Sequence, residues 1–197
     1  MMRIITGSLK GKKLETLQGD LTRPTSERVK EAIFSALQFD LEGRRVLDLF
    51  AGCGQMGLEA LSRGAKSVMF IDASQDAMAV VKRNVQSAGV SDACRFLVSD
   101  YRNYIRKATR ADASLAYDLV FIDPPYAMNA QTDALRRLVD AGLLAPYATA
   151  VLECAAADPF AEDTALSLCF DGVRTKKYGP TYVHIMTFTG KKDAEDA

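Results

Sequence analysis

The chain has 197 residues, 48% of them hydrophobic, and its 25 basic residues offset 25 acidic ones. That length supports one ordinary α/β domain with a real core and little beyond it, and the neutral balance excludes global charge as a sign of nucleic-acid binding, so only the distribution of charge can carry one. No apolar run approaches the roughly 18 residues of a membrane span and the first residues lack the apolar stretch of a signal peptide, so a cytoplasmic protein with no membrane partner is expected.

Residues 1 to about 20 read as a short hairpin: Arg3 to Thr6, a turn holding Gly7 and Gly11, then Lys12 to Glu15. Through Lys30 there are seven basic residues (Arg3, Lys10, Lys12, Lys13, Arg23, Arg28, Lys30) against three acids (Glu15, Asp20, Glu27). That local excess suggests a grip on a polyanion, and the competing reading is a solvated basic face. Arg23 is held extended by Pro24, and Thr25 or Ser26 can cap a helix whose apolar face is Val29, Ile33, Ala36 and Leu37, with Arg28 and Lys30 left exposed.

Val46-Leu47-Asp48-Leu49-Phe50 is the next run, near-continuously apolar as in a strand buried on both faces of a parallel sheet. Asp48 ends the strand with a carboxylate, and the run opens into Ala51-Gly52-Cys53-Gly54-Gln55-Met56-Gly57. These glycines fit G-x-G-x-x-G, where absent side chains let a nucleoside-bearing cofactor approach the backbone and a helix start offers N–H groups. No Gly-Lys-Ser/Thr follows, so the loop is not a phosphate-binding P-loop. The helix carries Leu58, Ala60 and Leu61, has Arg63 near its end and stops at Gly64.

A second strand, Val68 to Ile71, ends in Asp72-Ala73, about 20 residues beyond Gly52, where an acid can accept ribose hydroxyls. Ser74 caps a helix with Ala77, Met78, Val81, Val85 and Ala88 inward, stopped by Gly89. Cys94 to Val98 is the third strand, with Asp100 beyond its carboxyl end and a short helix from Tyr101 to about Lys107. Tyr117 to Ile122 is the fourth and runs directly into Asp123-Pro124-Pro125-Tyr126. A helix around Leu135, Leu138 and Val139, a fifth strand over Ala150 to Glu153, and two further strands between about Ala165 and Thr189, around Gly172 and Gly179-Pro180, complete the pattern. Alternating strands and helices with a strand-rich end predict a mostly parallel sheet closed by a hairpin.

Four scattered cysteines without C-x-x-C read as reduced, buried thiols, so neither disulfides nor a metal are expected, and the single histidine, His184, reads as structural. Asp48, Asp72, Asp100 and Asp123 should all stand at the carboxyl edge of the sheet, where such folds bind ligands. Pro124 and Pro125 fix φ and remove two donors, leaving a loop that only accepts. Its natural guest is an exocyclic base amine, held by Asp123 and the Pro124 carbonyl while Tyr126 stacks on the ring. With both hydrogens held, the amine lone pair can rehybridise towards a methyl donor.

The D-x-F-A-G-x-G-x-x-G loop and D-P-P-Y together resemble class I S-adenosylmethionine-dependent amino-methyltransferases. With Arg3-Ile4-Ile5, Gly7, Lys10-Gly11, Thr22 to Val29, Gly57 to Ala65 and Lys177-Tyr178-Gly179, the chain closely resembles the RsmD-type bacterial 16S ribosomal RNA guanine-N2 methyltransferases over nearly its whole length. The resemblance implies a Rossmann-like fold with a seven-stranded, mostly parallel sheet, a C-terminal antiparallel hairpin and a small N-terminal hairpin and helix. It implies an RNA-gripping extension over residues 1–40, a methyltransferase domain over 41–190 and a polar tail over 191–197. The implied cofactor is S-adenosyl-L-methionine, held by Asp48, Ala51, Gly52, Gly54, Gly57, Asp72, Ala73, Asp100 and Tyr101. Asp123, Pro124, Pro125 and Tyr126 would hold the base, and Arg3, Lys10, Lys12, Arg23, Thr25 and Arg28 the RNA. The partner is 16S ribosomal RNA in the small subunit or its assembly intermediate, met by a monomer. Cys53, Gln55-Met56, Asp72 and Pro180 depart from the usual residues of that family. The rival readings are the same chemistry on adenine-N6 or another guanine, a nicotinamide dehydrogenase, and a non-catalytic RNA-binding module.

Overall fold

The computed structural model describes residues 2–17, 27–37, 40–108, 116–125, 128, 130–161 and 163–190. Its strands are β1 (Arg45–Asp48), β2 (Ser67–Asp72), β3 (Cys94–Val98), β4 (Tyr117–Ile122), β5 (Leu144–Cys154), β6 (Phe170–Tyr178) and β7 (Thr181–Phe188). The fold is α/β and Rossmann-like, a seven-stranded sheet in the order β3-β2-β1-β4-β5-β7-β6. Two compact units divide the chain, Met1–Tyr104 and Ile105–Ala197.

In the first unit β1, β2 and β3 are parallel, with Asp48 opposite Phe70 and Asp72 opposite Val98. Helices α1 (Glu27–Ala36), α2 (Gln55–Ser62), α3 (Gln75–Ala88) and α4 (Tyr101–Lys107) accompany them. Every residue of α2 is buried, and Gly57 is what lets it seat. A β-carbon there would lie 2.4 Å from Cε1 of Phe70 on β2. α3 begins and ends as its sequence dictates: the Ser74 hydroxyl accepts the Ala77 N–H at 3.2 Å, and Gly89 closes it with φ 76.

The N-terminal hairpin is a single bridge, Arg3 to Lys13, with the Ile4 N–H donating to the Lys12 carbonyl at 2.9 Å. So small a ribbon cannot hold itself together, and it is docked instead. Ile4 and Leu14 are buried, each contributing about 1.5–3 kcal/mol. Gly7, at φ 88, lies so close to the Ser62 carbonyl that a β-carbon would sit 1.8 Å from that oxygen. The Glu59 carboxylate, fully buried on α2, accepts the N–H groups of Ile5 at 2.8 Å and Thr6 at 3.1 Å.

The same carboxylate overturns the expectation that Lys30 stays exposed. Its ammonium is fully buried, 3.6 Å from Glu59 Oε2, and donates to the Arg3 carbonyl at 2.6 Å. Arg63 Nε donates to the other Glu59 oxygen at 2.9 Å. Burial pulls the Lys30 pKa down, with the Glu59 charge opposing it. Lys30 therefore ties α1 to α2 and is removed from the basic surface. The α1 face also differs from expectation: Phe34 is buried and Ala36 exposed.

In the second unit β4 and β5 are parallel, while β7 lies antiparallel between β5 and β6. Helices α5 (Gln131–Asp140) and α6 (Thr164–Ser167) complete it. β5 starts well before Ala150, because an irregularity between Leu144 and Thr149 absorbs Pro146 and Tyr147, the latter at φ 61. Gly172, at φ 63, makes a similar shift within β6. His184 is fully buried. Its Nε2 faces the Ala156 carbonyl at 3.0 Å and Nδ1 the Thr175 hydroxyl at 2.9 Å. A carbonyl only accepts, so Nε2 carries the hydrogen and Nδ1 accepts from the hydroxyl. Burial lowers its pKa, which makes His184 a neutral structural pin. All four cysteines are free and buried, and burial pushes the Cys94 thiol up to about 12.

Among the described residues no helix is long and apolar enough to cross a membrane, and no group of three or more His, Cys, Asp or Glu could hold a metal ion.

Candidate active site

The glycine loop leaves β1 at Asp48, which is buried and whose Oδ2 accepts the Gly57 N–H at 3.1 Å. Ala51 is buried and donates to the Ile71 carbonyl at 2.9 Å, fastening the loop to β2. Gly52 and Gly54 both take left-handed backbone, φ 55 and 79. They differ in surroundings. A β-carbon on Gly52 would meet nothing within 4 Å, whereas one on Gly54 would meet Val81 at 3.2 Å. Gly52 thus leaves open space beside the loop, Gly54 turns it over α3, and Gly57 seats α2.

Asp72 binds the loop from β2. One carboxylate oxygen accepts the Gly52 N–H at 2.8 Å and the other the Ser74 N–H at 2.8 Å. The carboxylate is half-buried, with Ala73 exposed beside it, and carboxylate oxygens keep lone pairs for a second donor each. Asp100 is half-buried beyond β3, its Oδ1 accepting the Arg102 N–H at 2.9 Å at the start of α4. Tyr101, 2% exposed, packs its ring against Phe50 with centroids 5.3 Å apart.

Three residues around the loop were not evident as site residues. Asn84 of α3 donates to the Cys53 carbonyl at 2.9 Å and to the Glu15 carbonyl at 3.0 Å, and accepts the Glu15 N–H at 2.8 Å. It joins hairpin to loop. Its place between Val81 and Val85 on a buried face was the available signal. Gln55, first residue of α2, is 7% exposed and its Oε1 has no hydrogen-bond partner. Leaving such an acceptor unpaired costs about 1–3 kcal/mol, so it marks a place where a donor is wanted. Glu59 is the third, through the network described above. Cys53 sits in the loop itself, and burial raises its thiol pKa, which keeps it protonated and unreactive.

In the second unit Asp123 directly follows β4 and is half-buried, Pro124 is buried and Pro125 exposed. The Pro125 carbonyl accepts the Met128 N–H at 2.9 Å. Tyr126 lies outside the described residues, as do Arg23 and Thr25. Of the basic residues, Arg3, Lys10 and Arg28 are exposed, Arg3 with a loose ion pair to Glu27 at 3.5 Å. Lys12 has structural work: its ammonium donates to the Ser87 and Ala88 carbonyls at 3.0 and 3.3 Å, at the end of α3 where cations are favoured.

A family model described as "Conserved hypothetical protein 95" matches residues 2–187. Ribosomal RNA small subunit methyltransferase D of Haemophilus influenzae is 34% identical over 152 residues, 77% of this chain and 78% of that protein. The chain is a member of the RsmD family. Another relative of this RsmD-family chain is Bacillus subtilis YlbH, 39% identical over 141 residues, 71% of this chain and 74% of YlbH. Among solved structures, yhhF from Escherichia coli superposes with a TM-score of 0.81 at 25% identity, covering 96% of this chain and 98% of its own.

Proposed function

We propose that this protein transfers a methyl group from S-adenosyl-L-methionine to the exocyclic N2 amine of a guanine in 16S ribosomal RNA, within the small subunit or its assembly intermediate. The observation that carries the reading is the placement of carboxylates in the first unit: Asp48 ends β1, Asp72 ends β2 and Asp100 lies just past β3. Such edges are where sheets of this class bind ligands. Acids in that number repel phosphate and suit a cation with hydroxyl and amine donors. Membership of a family that includes a ribosomal RNA methyltransferase of Haemophilus influenzae directs the chemistry to RNA.

S-adenosylmethionine, when bound, supplies an electrophilic methyl on a sulfonium. The residues present fit it. Gly52 leaves open space for close approach, and the unpartnered Gln55 Oε1 supplies a buried acceptor at the start of α2 for a ligand N–H. Asp48, Ala51, Gly52 and Gly54 would hold the methionine end, Asp72 and Ala73 the ribose, and Asp100 with Tyr101 the adenine. Gly57 serves by seating α2 and engaging Asp48.

Asp123 and the Pro124 carbonyl would each accept one N–H of the target amine, with Tyr126 against the ring. Those acceptors orient the nitrogen and favour its pyramidal form over the conjugated one, an interaction stronger in the transition state than in the ground state. Residues 1–40 act as the RNA-gripping extension, with Arg3, Lys10, Lys12, Arg23, Thr25 and Arg28 on phosphates and sugars, 41–190 as the methyltransferase domain and 191–197 as a polar tail. The protein works as a cytoplasmic monomer.

Tritiated methyl transfer to RNA from cells lacking the gene, followed by nucleoside analysis, tests this. Label in N2-methylguanosine is expected. Label in N6-methyladenosine would move the chemistry to adenine, and no label with cofactor retained would reduce the protein to a binding module.

A further inference from the structure

Among the described residues β6 pairs with β7 alone, and its residues from Asp171 to Lys177 are all exposed. Arg174, Lys176 and Lys177 place three cations within four positions, against one acid in the strand, Asp171. Arg44, Arg63, Arg83, Arg136 and Arg137 each spend their charge on a carboxylate, whereas none of these three cations makes an ion pair among the described residues.

The register distributes them. Arg174 stands opposite Ile185 and Lys176 opposite Val183 on one face, while Lys177 stands opposite Tyr182 on the other. Lys177 Nζ lies over the Tyr182 ring, 5.2 Å from its centroid, a cation–π contact. Tyr182 in turn stacks on the pinned His184 ring at 6.3 Å. Arg174 and Lys176 are two residues apart, about 7 Å along a strand, the scale of the step between neighbouring phosphates of an extended nucleic-acid strand.

We infer that β6 is a second RNA contact, laying Arg174 and Lys176, which share one face, along the phosphate backbone. This rests on the RNA substrate proposed above. The contact lies on the C-terminal hairpin of the second unit. Lysines on an outer strand also deter edge-to-edge pairing, and the experiment separates the two uses.

The test is the double variant Arg174→Gln, Lys176→Gln, with a fluorescently labelled small-subunit ribosomal RNA transcript titrated over a salt series. Each phosphate contact contributes about 0.7–0.9 to the slope of log K against log salt, so a loss of about 1.5–2 units is expected. Affinity at low salt should fall at least about tenfold, with S-adenosylmethionine affinity by calorimetry unchanged. The charge-retaining pair Arg174→Lys, Lys176→Arg should keep the slope. An unaltered slope in the glutamine variant, with or without new aggregation, would overturn the inference, as would equal loss in the charge-retaining pair. Failure of the wild-type protein to methylate that RNA would instead overturn the proposed function.

Discussion

Glu59→Gln is expected to be among the most damaging single changes in the first unit. Its carboxylate holds the Lys30 ammonium at 3.6 Å with both side chains fully buried, Arg63 at 2.9 Å, and the Ile5 and Thr6 N–H groups. An amide can still accept from one or two of these but carries no charge, so a buried ammonium is left with the Arg3 carbonyl as its remaining short contact. Removing one partner of a buried ion pair costs about 3–5 kcal/mol, out of a total stability of about 5–15 kcal/mol. For a protein of this size each kcal/mol moves Tm by about 2–4 °C, so a fall of roughly 6–20 °C is expected. Adding Lys30→Met removes the stranded charge and should restore at least about 1 kcal/mol, visible as non-additivity in a double-mutant cycle. Because the same network docks the hairpin that carries Arg3 and Lys10, RNA affinity should fall with it while S-adenosylmethionine still binds. Thermal and urea unfolding of the four proteins is the assay. A Glu59→Gln loss under about 0.5 kcal/mol, or strictly additive effects, would refute the reasoning.

Asp72→Ala should weaken S-adenosylmethionine binding about ten- to a hundred-fold, the equivalent of roughly 1.5–3 kcal/mol for hydrogen bonds to a charged acceptor. It should also loosen the loop, since the Gly52 and Ser74 N–H groups lose their acceptor; unchanged calorimetric affinity would rule the role out. His184 has a depressed folded pKa, so the unfolded chain takes up its proton first as pH falls. Its contribution to stability is therefore complete above the ordinary value of 6.5 and is lost as pH drops below it towards the folded pKa. Unfolding measured from pH 7.5 to 5 should show that loss, and His184→Gln should flatten it; identical profiles would refute it. Tyr147→Gly should stabilise by about 0.5–1 kcal/mol, because left-handed backbone costs an L-residue about 1–2 kcal/mol and glycine returns part of that as chain entropy. A lower Tm would show that the Tyr147 side chain contributes more than its backbone costs.

The parallel strands were legible because their signals are local and mutually consistent. Val68 to Ile71 and Leu119 to Ile122 are short apolar runs, each followed directly by an acid, Asp72 and Asp123. α3 was legible in full, from the Ser74 cap to the Gly89 stop. What stayed hidden depends on partners distant in sequence. Lys30 and Glu59 look like surface charges when each is read on its own helix, and only the docking of α1 and the hairpin on α2 buries both. Pro146 concealed the start of β5, since a proline argues against a strand unless an irregularity absorbs it. At the candidate site the residue types were legible, while their division of labour was not. Gly52, Gly54 and Gly57 are alike in sequence, and only their surroundings separate an open approach from a turn and from a packing contact. The charge of Lys12 was legible, while its bonds to the Ser87 and Ala88 carbonyls at the end of α3 were not.

Single-turnover methyl transfer by Asp123→Ala, at saturating S-adenosylmethionine and RNA, tests the proposed chemistry most directly. Asp123 is assigned to the target amine alone, so cofactor affinity should stay near wild type. RNA binding through the basic segment should largely survive, with some loss where the everted base leaves its pocket. The rate should fall by about 10²–10³, as when one preorganised polar contact to a transition state is removed. A rate within about fivefold of wild type, some 1 kcal/mol of barrier, would make Asp123 a turn residue and contradict the amine-holding mechanism.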